Sequence, residues 1–134
     1  MTKNYKVKNV VIKFKGMILM NPKLQWLRNK MSSSDLQGLI ISNPINIKYL
    51  TNIDAEGILL LTRKENIFIT DGRYIEDVHT VLTLFDEIIV YDINDLSLED
   101  YENFFMFCEN VGFEENYVTY SKYKEYIRKY KINN

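Results

Sequence analysis

Cysteine occurs once, at position 108. No intrachain disulfide can form, which excludes a disulfide-stapled secreted fold, and zinc sites built on paired cysteines are excluded with it. A reducing cytoplasm is the expected compartment. Histidine also occurs once, at position 79. A Ser-His-Asp triad could be assembled only around His79, and no nucleophile-elbow motif supports one. Glu76 and His79 make a single i, i+3 pair, where a di-iron bundle needs two such pairs and two further glutamates. The five glycines stand apart at 16, 38, 57, 72 and 112, so neither a phosphate loop nor a dinucleotide fingerprint is present. No apolar run approaches the roughly 20 residues that span a bilayer. Val10-Val11-Ile12 is cut short by Lys13 and Lys15, which leaves no signal-peptide core of about 7–15 apolar residues. No membrane association is expected.

Acidic residues are missing from the first thirty positions, which hold eight Lys/Arg and carry +8, while the remaining residues hold nine basic and eighteen acidic side chains and carry −9. A basic segment supplies a sequence-independent attraction for phosphates. Aromatic residues for base stacking are few there, namely Tyr5, Phe14 and Trp26, and the acidic remainder repels the same ligand, so no nucleic-acid partner is expected. With 134 residues, 46% hydrophobic and 26% charged, the chain has the size and composition of one ordinary globular domain. Residues 1–21 read as a basic extension, foreign to the domain or disordered, with an extra edge strand as the alternative. Residues 22–134 read as the domain.

Pro22 suits the first turn of a helix, and Leu24, Leu27 and Met31 continue as an apolar stripe that stops at Ser32-Ser33-Ser34-Asp35. Gly38 to Ser42 is a short β-branched run, read as a buried strand. Asn43-Pro44 is a cap followed by a helix-starting proline, with Ile47 and Leu50 on the buried face. Gly57–Thr62 and Ile67–Thr70 read as two hairpin strands joined by the polar turn Arg63-Lys64-Glu65-Asn66. Asp71-Gly72 leads into a helix marked by Ile75, Val78 and Leu82, and Glu87–Tyr91 is a fourth strand. Ser97, with Asp100 three residues on, makes a capping box for a helix whose stripe is Leu98, Tyr101, Phe105 and Cys108. Val111–Glu114 is a fifth strand, and a last helix runs from Thr119 with Tyr123, Ile127 and Tyr130 on one face. The alternation of helices and strands around one hairpin predicts an α/β domain with a mixed sheet of five to six strands flanked by helices.

Three stretches in order, Ser42 to Thr51 (SNPINIKYLT), Phe68 to Tyr74 (FITDGRY) and Val111 to Tyr120 (VGFEENYVTY), resemble the N-terminal domain of the creatinase/prolidase/Xaa-Pro aminopeptidase family. The resemblance runs from about residue 22 to 130. It implies a mixed sheet flanked by helices, and a parent enzyme that cleaves Xaa-Pro bonds with two divalent metal ions, manganese or cobalt, held in a separate C-terminal domain. The 134 residues are expected to lack that catalytic domain. No catalytic residue, metal ligand or cofactor is therefore expected within them, and the chain alone is expected to be inactive. The expected partners are the chain's own C-terminal catalytic domain, if the native gene encodes it, and further copies in a homo-oligomer.

What the resemblance carries over is a role in oligomer contact and in limiting access to a neighbouring active site. The matching positions are Asn46, Tyr49, Leu50, the loop with Asn52 and Asp54, and then Asp71, Arg73 and Tyr74. Where the family often has Tyr-Leu-Thr-Gly-Phe, this chain has Tyr49-Leu50-Thr51-Asn52-Ile53; asparagine tolerates the left-handed turn that glycine would make, but the aromatic residue is lost. From the residues alone, Asp71 is a helix cap, Gly72 allows a tight turn, and Arg73 either pairs locally with Asp77 or faces a partner. Two other readings are a free-standing protein- or peptide-binding module and a small metal-dependent nuclease using Asp54 and Asp71. Cys108 reads as a buried structural thiol.

Overall fold

A proline at the first helical position and a left-handed residue just past the end delimit α1 (Pro22–Ser33), which gives way to Asp35 at φ 56°. The structure, a computed structural model, describes residues 22–82 and 87–132; the expectations for residues 1–21 lie outside the described residues. After α1 come β1 (Gly38–Ile41), α2 (Pro44–Thr51), β2 (Gly57–Leu61) and β3 (Asn66–Thr70). A short 3₁₀ turn (Gly72–Tyr74) precedes α3 (Ile75–Val81) and β4 (Ile88–Asp92). A second turn (Ile93–Asp95), α4 (Leu98–Phe104), β5 (Val111–Phe113) and α5 (Tyr120–Tyr130) complete the chain.

The five strands form one sheet in the order β4-β3-β2-β1-β5. β2 runs antiparallel to β1 and β3, while β1 with β5 and β3 with β4 are parallel pairs. The expected mixed, helix-flanked sheet is therefore present, with five strands among the described residues.

Side chains alternate between the two faces of a strand, and here both faces are buried. In β2, Leu59 and Leu61 point to one side, where α1, α2 and α3 cover them with Leu24, Ile47 and Val78. Leu60, between them, points to the other side, where α4 and α5 meet it with Tyr101, Phe105, Tyr126 and Tyr130. The first face is aliphatic and the second is dominated by edge-on aromatic contacts, such as Phe105 to Tyr130 at 5.4 Å between ring centres. Such contacts add to area burial because ring edges and faces carry opposite partial charge.

Four expectations need correction. Asn66 is not part of an exposed polar turn; it begins β3 and is fully buried. Leu98 is 76% exposed, because it is the first residue of α4 and lies beyond the edge of the aromatic layer. Cys108 lies past the end of α4 rather than on its stripe, and is half-buried. The buried tyrosines of α5 are Tyr126 and Tyr130, with Tyr123 and Ile127 on the flank.

One charged side chain is built into the first layer. Arg28, 5% exposed, sends Nη1 to the Thr62 carbonyl at 2.7 Å, Nη2 to the Glu65 carbonyl at 2.6 Å, and Nε to Asn66 Oδ1 at 3.0 Å. Asn66 Nδ2 in turn donates to the Glu87 carbonyl at 3.3 Å. One guanidinium thus ties α1 to the β2–β3 turn and, through Asn66, to the start of β4. Removing it leaves buried acceptors without donors, at a cost of about 1–3 kcal/mol each. Arg28→Met should therefore lower the unfolding free energy by roughly 3 kcal/mol in urea titrations; a loss below about 1 kcal/mol would show that water replaces the guanidinium.

Candidate functional site

Because β1, β3, β4 and β5 share one direction, their carboxyl ends and the amino end of β2 lie at the same end of the sheet. All three sequence stretches singled out above meet at this end: Ser42–Thr51 follows β1, Phe68–Tyr74 runs out of β3, and Val111–Tyr120 comprises β5 and the loop after it. Crevices at the carboxyl ends of parallel strands are the usual ligand and contact sites of open α/β sheets.

Carboxylates and Asx turns organise this end. Asn43 Oδ1 accepts the Ile45 amide at 3.0 Å and caps α2 in front of Pro44. Glu114, just after β5, accepts the amides of Ser42 at 2.7 Å and Asn43 at 2.9 Å through Oε1, and the Asn46 side-chain amide through Oε2. A carboxylate at a helix amino terminus also complements the helix dipole. Glu114 thereby joins the first and third stretches; the sequence reading included it in a strand without a role. At the other end of α2, Asn52 takes φ 64° and its amide donates to the Lys48 carbonyl at 2.8 Å. Asparagine does provide the left-handed turn.

The second stretch closes in the same manner. Asp71 Oδ1 accepts the Arg73 amide at 2.9 Å and Arg73 Nε at 3.1 Å. These hydrogen bonds hold the Asp71 carboxyl below its ordinary range and raise Arg73. The local partner of Arg73 is therefore Asp71 rather than Asp77. Gly72 has negative φ; its lack of a side chain serves close approach, since a Cβ there would lie 2.6 Å from Asp92 Oδ2. Asp92 Oδ1 caps the next 3₁₀ turn at the Asn94 amide, 2.9 Å away.

Of the eight positions named from sequence, Asn46, Tyr49, Asn52, Asp54 and Arg73 are exposed, Asp71 and Tyr74 are half-buried, and Leu50 is in the core. Tyr49 is 62% exposed, and on the same helix Ile45 is 76% exposed. Lys23 Nζ sits 4.1 Å from the Tyr49 ring centre and donates to the Tyr49 carbonyl at 2.9 Å. Asp54 pairs with Lys48 at 3.4 Å. Among the described residues no three His, Cys, Asp or Glu side chains are grouped to hold a metal ion, so the donor set of a two-metal centre is not met by them. His79 is exposed. Burial raises the Cys108 thiol above its ordinary value, which lowers its thiolate fraction.

A cleft of about 550 Å³ opens at this end on the aromatic face, between the sheet and α5. Ile58 and Ile69 form its floor and Tyr101, Tyr126 and Tyr130 its inner wall. Burial, then the neighbouring tyrosines, push the Tyr130 phenol well above the usual 10.0; burial raises Tyr101 as well.

Two outcomes follow. Glu114→Ala strands the Ser42 and Asn43 amides and should cost about 2 kcal/mol in chemical denaturation, while Glu114→Gln, which keeps an acceptor, should cost less; equal losses would discount the amide contacts. For Tyr130, the folded-state value lies above the unfolded one, so its contribution is complete below pH 10 and is lost as the pH rises beyond it. Melting temperatures should fall above pH 10, less steeply in Tyr130→Phe; identical alkaline limbs would count against this origin.

The family model for the creatinase/prolidase N-terminal domain matches residues 23–133. An uncharacterized peptidase of Bacillus subtilis (strain 168), YqhT, is 30% identical over 107 residues, covering 78% of this chain and 30% of that protein. An Xaa-Pro dipeptidase from Bacillus anthracis superposes with a TM-score of 0.68 at 24% identity, over 83% of this chain and 31% of the other. The N-terminal domain of cytoplasmic peptidase PepQ from Mycobacterium tuberculosis H37Rv gives 0.67 at 21% identity, over 81% and 85%. The chain thus spans about a third of the length of the full-length relatives. No helix among the described residues is long and apolar enough to cross a membrane. By its fold and the extent of the match, the chain belongs to the creatinase/prolidase N-terminal domain family.

Proposed function

We propose that this chain is the non-catalytic N-terminal domain of a cytoplasmic Xaa-Pro peptidase, and that it serves assembly of the enzyme and control of access to a neighbouring subunit's active site. Family membership and the naming of its relatives as peptidases support the reading. The metal pair, manganese or cobalt, would belong to a separate catalytic domain. Cytoplasmic residence agrees with the single cysteine and with the description of PepQ.

The observation that carries the assembly role is the outer face of α2. Ile45 and Tyr49, four residues apart, are both largely exposed, on a helix anchored at both ends by Glu114 and Asn52. Large apolar side chains presented on a rigid element are typical anchors of protein contacts. The adjoining Asn52–Asp54 turn and the Asp71–Tyr74 turn supply a polar rim, which suits a second copy of the chain.

Sedimentation measures this directly. The chain should associate with rising concentration, and Ile45→Asp combined with Tyr49→Asp should weaken association about tenfold or more without lowering the melting temperature. A chain that stays monomeric at high concentration, or associates equally well after both changes, would overturn the assembly role.

A further inference from the structure

β4 is one margin of the sheet, paired with β3 on its inner side and with no strand on its outer side among the described residues. A free strand edge offers its amides and carbonyls to any extended chain, and native proteins blunt such edges with lysine, proline, a bulge or a cover. β4 reads Ile-Ile-Val-Tyr-Asp, with neither lysine nor proline. Its register against β3 is unbroken from Ile88 to Asp92, so no bulge turns it aside, and Ile89 is 37% exposed. The opposite margin, β5, is only three residues long and holds a glycine, which makes it a poorer template.

The surroundings of β4 carry one sign of charge. A groove of about 390 Å³ opens beside it, where Tyr91, Leu96 and Phe104 supply apolar surface and Glu65, Asp95 and Asp100 supply carboxylates. No lysine or arginine lines it among the described residues. The complement lies in the same chain. Residues 1–21 contain Lys3, Lys6, Lys8, Lys13 and Lys15 and no acidic residue. Within them Val10, Ile12 and Phe14 alternate with Val11, Lys13 and Lys15, the period of a strand with one apolar face and one largely basic face. In β4, Val90 joins the aliphatic layer and Tyr91 the aromatic one. A neighbouring strand whose Val10, Ile12 and Phe14 extend the aliphatic layer therefore places Lys13 and Lys15 on the side of the carboxylate groove. The tether is long enough. The seven steps from Lys15 to Pro22 span up to about 23 Å, and the outer side of β4 is three strand spacings from β2, about 14 Å, plus the depth of one helix layer.

We propose that the free edge of β4 is the docking site of the chain's own residues 10–15, which add a sixth strand with Lys13 and Lys15 over the groove of Glu65, Asp95 and Asp100. The pairing satisfies the outer amides and carbonyls of β4 and leaves two lysines at the new margin, the kind of residue that discourages further pairing. A tethered segment acts at an effective concentration in the millimolar range, so even a weak strand contact is populated. The segment precedes the family match, which begins at residue 23, and the proposal does not rest on the assembly reading.

Amide-resolved NMR of the full chain tests the docking. Cross-strand nuclear Overhauser contacts should join residues 10–15 to Ile88–Asp92 at every protein concentration, and the β4 amides that do not donate to β3 should exchange slowly with solvent. Ile12→Pro, which removes an amide from the added strand, should speed exchange of those amides at least about tenfold, with the β1 and β2 amides unchanged as the control for folding. Asp95→Lys should speed it about two- to fivefold, and adding Lys13→Glu should restore the slower rate, since the pair is then reversed in sign. The proposal is overturned if no cross-strand contacts join the two segments, if they join residues 10–15 to β5 instead, or if Ile12→Pro leaves β4 exchange as it was. Contacts that vanish on dilution would overturn it too, because the occupant would then be the segment of a second copy. None of these readouts depends on Ile45 or Tyr49, so failure here and failure of the assembly role are told apart.

Discussion

The middle strand of the sheet is buried on both sides. Leu59, Leu60 and Leu61 are consecutive and all inaccessible to solvent, so each face needs its own layer of helices. That constraint places α1, α2 and α3 on one side and α4 and α5 on the other. It also decides where function can reside. With both faces covered, the chain meets its surroundings through helix outer surfaces, through the strand ends, and where coverage is incomplete. The outer face of α2 is the first of these. The cleft beside α5 is the last, where that helix and the strand-end residues Ile69, Thr70 and Asp71 line an opening rather than a closed layer.

The strand ends are held by side chains that replace missing backbone partners. Asn43, Asp71, Asp92, Ser97 and Thr119 each accept the amide two or three residues on, and Glu114 does so across the sheet. Helix starts lack internal acceptors for their first amides, and short polar side chains supply them locally. A domain whose loops are fastened in this way presents fixed surfaces, which is what an assembly contact requires.

Much of this was legible in the residues. Asn43-Pro44 and Ser97 with Asp100 announce helix starts, and both hydrogen bonds of the predicted Ser97–Asp100 box are present at 3.2 and 2.8 Å. Leu24 and Met31, and the paired runs GILLL and NIFIT, mark the core. Arg28 was less visible, although it lies four residues after Leu24 and three before Met31, on the apolar stripe itself; a charge there signals a buried polar partner. Asn66 was hidden because its neighbours Lys64 and Glu65 are exposed, and the groups that satisfy its buried amide, the guanidinium 38 positions earlier and the Glu87 carbonyl 21 positions later, are distant in the chain. The role of Glu114 could not be read locally, since its partners lie 68 to 72 residues away. The cleft was equally invisible, because its floor, wall and charges come from strands and helices distant in the chain.

That long reach of Glu114 has a bearing on synthesis. β1 pairs on its far side with β5, Gly38 against Val111 and Ile40 against Phe113, and α2 gains its carboxylate from the next residue. Until the ribosome has delivered residue 114, β1 is an open edge of Leu39, Ile40 and Ile41, and the first turn of α2 is only partly capped. An apolar strand with an unpaired edge is a template for association with other chains, and pairing that waits for distant sequence is slow. The earlier part of the sheet can assemble through the β2–β3 hairpin, but its far margin is finished only when nearly the whole domain has emerged. The stretch of translation between residues 41 and 113 is therefore the interval in which the apolar edge of β1 is without its β5 partner and most open to wrong pairing.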